Sequence, residues 1–341
     1  MILAALFSNY PRIGDRPEEQ VLRRAIRLAD RGEVPPAEVA AAEDEMTRRA
    51  IADQAAAGLD LLSDGQIRWH DPVSHVARGL AGFRIEGLLR YFDTNTYYRQ
   101  PAATGPIGRE KPFLVEAYRF AVGAAAPRQV KAIVTGPLTI ARLSRDAGRR
   151  GLQDLALQIA SALNRELRDL EAAGAGLIQV DEPALARWPG DAGILRQAMR
   201  RLVSGLTTAR VLLATSFGDA TPLLADLALM PVDLIGLDVL AATGGGGDAA
   251  ALGAGLAGTI PAETGLALGI VDGRNTHLED ADGTYECTVR PILQALCAAP
   301  GPRRPIHLVT NHGLEFLPRD VARAKMSILA AVRDRARQEF P

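Results

Sequence analysis

The sequence predicts a (β/α)8 barrel of the TIM type, with an inserted arm or hairpin between its second and third strands. Three observations carry this. Eight short apolar runs are spread over 341 residues, helical patterns lie between them, and each run ends on a polar residue. The runs are "ILAALFSNYP", "GLDLLSDG", "VKAIVTGP", "GLIQVDEP", "RVLLATSF", "VDLIGLDV", "LALGIVDG" and "RPIHLVTNHG". They are nearly continuous in apolar character rather than alternating, which suits strands covered on both faces. Segments such as "DLALQIASALNRELRDLEAAG" supply the crossover helices that parallel strands require.

Taken in chain order, the polar endings are Asn9, Asp64, Thr135, Asp181 with Glu182, Ser216, Asp238, Asp272, and Asn311 with His312. In such barrels the chemistry gathers at the C-terminal ends of the strands, where rigid staves meet variable loops. Each residue alone also suits a helix cap or a turn. It is their recurrence at all eight strand ends that points to a site. The gap between the second and third runs is too long for one helix. Residues 83–105, "FRIEGLLRYFDTNTYYRQPAATG", read as the inserted arm, placed over the strand ends. The chain is expected to form one barrel domain over residues 1–341, with the insertion at about 83–129. "TGGGGD" at 243–248 has no phosphate-loop spacing and is expected to be a mobile loop.

Composition narrows the function classes. With 39 basic and 40 acidic residues there is no charge excess to drive nucleic-acid or membrane-surface binding, so small molecules are the expected partners. No apolar run reaches the length of a membrane span, and the N-terminus lacks the marks of a signal peptide, so a cytoplasmic protein is expected. Cys287 and Cys297 lie in a helical pattern without metal spacing and are expected to be buried free thiols. There is no nucleophile elbow, HExxH or CxxC.

The motifs "SNYPRIG", "GLDLLSDGQIRWHDPV", "YFDTNTYYRQP", "VKAIVTGPLTIA", "LEAAGAGLIQVDEPAL", "LGIVDGRN" and "NHGLEFLPRDVARAK" together resemble cobalamin-independent methionine synthase in its single-barrel form. Some of them are closer to the non-catalytic N-terminal barrel of the two-barrel enzymes. The resemblance implies a methyltransferase of methionine biosynthesis, moving a methyl group from a 5-methyltetrahydrofolate-type donor to homocysteine or another small acceptor. The candidate catalytic residues are His312, Asp238 and Asp181, a histidine near carboxylates at a barrel mouth being suited to acid or base chemistry. The resemblance places Asn9, Gln66 and Glu182 at the substrate, with Asp181 gripping its ammonium, and Arg99 and Thr135 at the folate; Asp64 and Ser216 at their strand ends are further candidates for the substrate, and Tyr98 of the arm for a flat heterocycle.

The family's zinc ligands are His-x-Cys after the fifth strand, a glutamate after the sixth and a cysteine after the eighth. Here those positions read Ala214, Ser216, Asp238 and His312, so zinc is doubtful and Asp238 and His312 would be its remaining ligands. His312, with an ordinary pKa of about 6.5, is expected to exchange protons near neutrality instead. Two alternatives stand beside the transferase: a non-catalytic folate- or amino-acid-binding homologue, and a lyase or decarboxylase on the same scaffold.

Overall fold

The computed structural model describes residues 1–244 and 247–341. Two of the glycines in the 243–248 stretch therefore lie outside the described residues, and with them the expectation of a mobile loop.

In chain order the strands are β1 Ile2–Ala5, β2 Leu61–Leu62, β3 Ala81–Arg90, β4 Tyr97–Gly108, β5 Gln129–Val130, β6 Ala132–Thr135, β7 Arg145–Asp146, β8 Leu177–Asp181, β9 Arg210–Ala214, β10 Leu234–Asp238, β11 Gly265–Val271 and β12 Ile306–Thr310. Nine of them form one sheet in the order β5-β2-β1-β12-β11-β10-β9-β8-β6, and every pairing in it is parallel. Its two end strands, β5 and β6, are a single stretch of chain interrupted only at Lys131, whose own N–H donates to Leu62 O at 2.9 Å. The sheet thus closes on itself, and the eight apolar runs are the eight staves of a barrel.

Alternation along the staves sorts side chains between two cores. Ala5, Phe7, Leu61, Leu212, Ala214, Leu234, Ala267 and Val309 pack together inside the barrel. Their neighbours, among them Ala4, Leu6, Leu62, Leu213, Ile235 and Leu308, pack outward against the helical shell. Burial on both sides is why the runs read as continuous rather than alternating.

β3 and β4 form the arm, an antiparallel hairpin with Phe83 opposite Ala103 and Arg90 opposite Tyr97. Its base is strapped to the long helix Leu152–Ala172 by the fully buried Glu166. That carboxylate accepts from Arg109 Nε at 2.5 Å and from the backbone N–H groups of Phe113 and Leu114 at 3.0 and 2.7 Å. The following helix Val115–Ala125 packs against Pro36–Ala56 and Leu152–Ala172 and so belongs to the barrel shell.

One expectation is overturned: Cys287 and Cys297 are free but exposed. The segment turns Tyr285, Val289, Ile292 and Leu293 inward, and the two thiols fall on its outer side. Among the described residues, no helix is long and apolar enough to cross a membrane.

Candidate functional site

The loops after β1, β2 and β8 meet around one hydroxyl. Ser8 Oγ lies 2.8 Å from Asn9 Oδ1, 2.8 Å from Gln66 Oε1 and 2.9 Å from Asp181 Oδ2. Asp64 stands one step back, where its Oδ1 accepts from Gln66 N at 2.9 Å and holds the turn in which Gln66 adopts φ +53°. Gln66 is 1% exposed, and its Nε2 is a buried donor without a partner.

Beneath Asp181 a polar chain runs down the barrel axis. Gln179 Nε2 donates to Asp181 Oδ1 at 2.7 Å, and Gln179 Oε1 accepts from Lys131 Nζ at 2.6 Å. Lys131 Nζ also donates to the carbonyls of Leu6 and Phe7 at 2.6 and 2.9 Å. Burial pushes the Asp181 carboxyl up, while its hydrogen bonds from Gln179 and Ser8 and the nearby ammonium pull it down. Burial likewise pushes Lys131 down, opposed by Asp181. Sequence reasoning missed Lys131 and Gln179. The available signal was that Lys131 is one of only three lysines in an arginine-rich chain.

Glu182 is committed elsewhere. Its oxygens accept from Leu138 N at 2.8 Å, Thr139 N at 2.8 Å and Thr139 Oγ at 2.6 Å, so it caps the short helix Pro137–Leu143. Gly136 makes room for it, since a Cβ there would lie 2.3 Å from Glu182 Oε1. Burial raises this carboxyl to about 7 despite those donors.

On the far side of the mouth, Asp238 caps the turn Val239–Ala242 through Ala241 N at 3.0 Å and accepts from Asn311 Nδ2 at 3.3 and 3.4 Å. His312 Nδ1 is 3.7 Å from Asp238 Oδ2, and His312 Nε2 accepts from the backbone N–H of Phe217 at 3.1 Å. That bond requires a lone pair on Nε2, so the neutral ring carries its proton on Nδ1, toward Asp238. Burial, with Arg274 nearby, lowers His312 to about 4. Burial thus favours the neutral imidazole, against the expectation that His312 exchanges protons near neutrality. Burial raises Asp238 to about 6, making the carboxyl the group of this pair that titrates closer to neutrality. Ser216 is buried beside them, 3% exposed.

The arm roofs the mouth with aromatic rings. Phe217, at φ +62°, stacks on Phe92 of the arm tip with centroids 5.0 Å apart. It also meets Tyr91 edge-on at 5.6 Å and His312 at 4.5 Å. Left-handed backbone is unusual for so bulky a residue, and here it turns the ring toward the arm while aiming its N–H at His312. Arg274 lies over the Phe217 ring at 5.4 Å and pairs with Asp93 of the tip at 3.1 Å. The residues singled out from sequence for a folate are placed differently from one another. Tyr98 is buried and donates to Leu143 O at 2.9 Å, Thr135 Oγ donates to Pro72 O at 2.8 Å, and Arg99 is exposed. Tyr91, Phe92, Trp188 and Phe217 were not singled out.

These features define a closed parallel (β/α)8 barrel that collects its polar groups at the C-terminal mouth beneath an inserted arm. The sequence matches the family described as "Cobalamin-independent synthase, N-terminal domain" over residues 69–295. The chain belongs to that family. It is 33% identical over 225 residues to the methionine synthase of Sulfurisphaera tokodaii, covering 66% of each chain. It is 32% identical over 207 residues to that of Saccharolobus solfataricus, covering 61% of this chain and 62% of the relative. The matched stretch thus spans slightly under two thirds of these relatives. Among solved structures, a B12-independent methionine synthase from a Shewanella species, in complex with selenomethionine, superposes with a TM-score of 0.79 at 20% identity over 99% of this chain and 98% of that one. A methyltransferase from Methanosarcina mazei gives 0.62 at 15% identity over 98% and 94%. At these identities the structures bear on the fold.

The zinc ion that the family resemblance implies does not fit the residues present. Ala214 offers no donor, the Ser216 hydroxyl is a poor ligand for a borderline-soft ion, and His312 has its Nε2 lone pair taken by Phe217 N–H. Asp238 alone of the four remains a competent ligand. Among the described residues no group of three or more His, Cys, Asp or Glu side chains is gathered so as to hold a metal.

Proposed function

We propose that this protein is a C1 transferase that passes a methyl group from a 5-methyltetrahydrofolate-type donor to a small acceptor carrying an amino-acid head. The observation that carries this reading is the placement of Asp181, held by Ser8 and Gln179, beside Asn9 and Gln66 and beneath an aromatic roof. An anchored carboxylate suits an ammonium group. Flat rings such as Phe92, Phe217 and Tyr91 suit a heterocycle. The similarity to proteins named methionine synthase supports the same chemistry.

A methyl group on a tertiary amine is a poor electrophile, and the departing nitrogen must gain a proton. With Asp181 engaged by the ammonium, that proton reaches the nitrogen from another group of the mouth. Asp238 and His312 act as a positioned pair that holds Phe217 and, through it, the roof. Because the zinc donor set is incomplete, the acceptor is one whose nucleophile needs no metal-held sulfur. Mass-spectrometric assay with methyltetrahydrofolate and a panel of thiol and amine acceptors tests this: a methylated product whose formation is lost in Asp181→Asn is expected, and no product from any acceptor overturns it.

A second reading has its own observation. The family match is to the N-terminal domain, and that, together with Ala214, suits a homologue that keeps the pocket without the chemistry. It predicts calorimetric binding of methyltetrahydrofolate or an amino acid with no turnover.

A further inference from the structure

We propose that Glu315 is a ligand-binding carboxyl of the mouth, sharing with Asp181 the ammonium group of the small substrate. The inference rests on the reading above that the mouth receives an amino-acid head. Glu315 lies in the loop after β12, three residues beyond His312, and its side chain folds back over Gly313. A Cβ on Gly313 would come within 2.1 Å of Glu315 Oε2 and 3.0 Å of Asn9 N, so only glycine lets the carboxyl lie against the β1 loop. The bond from Leu314 N to Asn9 O, 2.7 Å, clamps the two loops together.

In this position Glu315 Oε2 is shut off from solvent and has no hydrogen-bond partner. Gln66 Nε2, on the amide whose oxygen accepts from Ser8, is a buried donor in the same state, as are His312 Nδ1 across the mouth and the guanidinium nitrogens Arg12 Nη2, Arg319 Nη1 and Arg319 Nη2 elsewhere among the described residues. Buried polar atoms without partners are rare in folded proteins because they lose hydration and gain nothing in return. A carboxyl oxygen without a partner beside Asn9 and an amide donor without a partner beside Ser8 suit the ammonium and the carboxylate of one α-amino acid. The charged and titratable groups facing Glu315 are Asp181 at the end of β8 and Tyr91 on the arm tip. Burial, and to a lesser degree Asp181, raises the Glu315 carboxyl to about 8, which favours its protonated form at neutral pH. An arriving ammonium favours the carboxylate, and the displaced proton leaves to solvent.

Titration calorimetry of the full chain with L-methionine at pH 7, in buffers of different ionisation enthalpy, tests the proposal. The wild-type protein is expected to release close to one proton on binding, whereas Glu315→Gln binds at least tenfold more weakly and releases none. The deaminated analogue 4-(methylthio)butanoate, tried on wild-type protein alone, is expected to bind at least tenfold more weakly than L-methionine and to release no proton, a difference in proton release that reads Glu315 without any substitution. Glu315→Gln binding as tightly as wild type with the same proton release overturns the role of Glu315 and leaves the transferase reading standing, whereas the analogue binding as tightly as L-methionine overturns the ammonium site of both. A wild-type protein that binds neither L-methionine nor L-homocysteine overturns both.

Discussion

His312 Nδ1 faces Asp238 Oδ2 across 3.7 Å, with each side chain only 3% exposed. The other ring nitrogen is tied to the backbone of Phe217, so the imidazole joins a left-handed turn to the aromatic roof, while Nδ1 stays without a hydrogen-bond partner. His312→Ala leaves a buried N–H without an acceptor and is expected to destabilise the fold by about 1–3 kcal/mol. His312→Gln, whose amide oxygen can accept from Phe217 N, is expected to recover part of this. Urea denaturation of the two variants checks both expectations, and equal stability of wild type and His312→Ala would contradict them.

Lys131 reaches Asp181 through a single side chain, Gln179. Lys131→Met keeps the length but removes an ammonium that serves three oxygens, for an expected loss of about 2–3 kcal/mol. Because the lysine charge holds the Asp181 carboxyl down, its removal is expected to move the acidic limb of any Asp181-dependent binding toward higher pH. Calorimetric affinity measured between pH 5 and 8 reads this shift.

Glu315 also predicts a stability profile in the absence of ligand. Its carboxyl lies near 8 in the folded protein and near the ordinary 4.5 in the unfolded chain. The folded state therefore holds a proton that the unfolded state gives up. The contribution is fully present below about 4.5 and is lost as pH rises through 8. Glu315→Gln cannot ionise, so it is expected to be more stable than wild type at pH 8 and to lose that advantage toward pH 5. Thermal melts at both pH values measure the difference.

Phe92 and Phe217 provide one of the ring contacts that seat the arm tip on the barrel. Phe92→Ala is expected to free the tip, increase proteolytic cleavage near Asp93–Asn95, and alter the fluorescence of Trp188, whose ring lies 6.2 Å from Phe92. Unfolding of the barrel should change by less than about 1 kcal/mol, because the arm sheet is separate from the barrel sheet. Limited proteolysis with mass mapping distinguishes an opened tip from a destabilised core.

Elemental analysis of the purified protein is expected to find no stoichiometric zinc, with melting temperature unchanged by a chelator. The reason is the donor set of Ala214, Ser216 and an imidazole with its Nε2 occupied. Stoichiometric zinc lost on Asp238→Ala would reverse this assignment.

The barrel was legible in the sequence because its signals are local. A buried parallel stave is a short apolar run, its end is a polar residue at a turn, and the arm announces itself as a connection too long for one helix. Those features place Asn9, Asp181, Asp238 and His312 at one rim. They could not distinguish Glu182 as a cap from Asp181 as an exposed-end carboxylate, since adjacent residues of the same type differ only in which way they point.

The sequence by itself determined the staves, their order and the rim. Tertiary structure decided which nitrogen of His312 is engaged, how Lys131 is joined to Asp181, where the arm tip lands, and that Glu315 folds inward over Gly313. The physical reason is that these depend on contacts such as Phe217 with His312, 95 positions apart, and on the desolvation of groups once they are enclosed. Neither the approach of distant residues nor the exclusion of water is written in any local pattern of the chain.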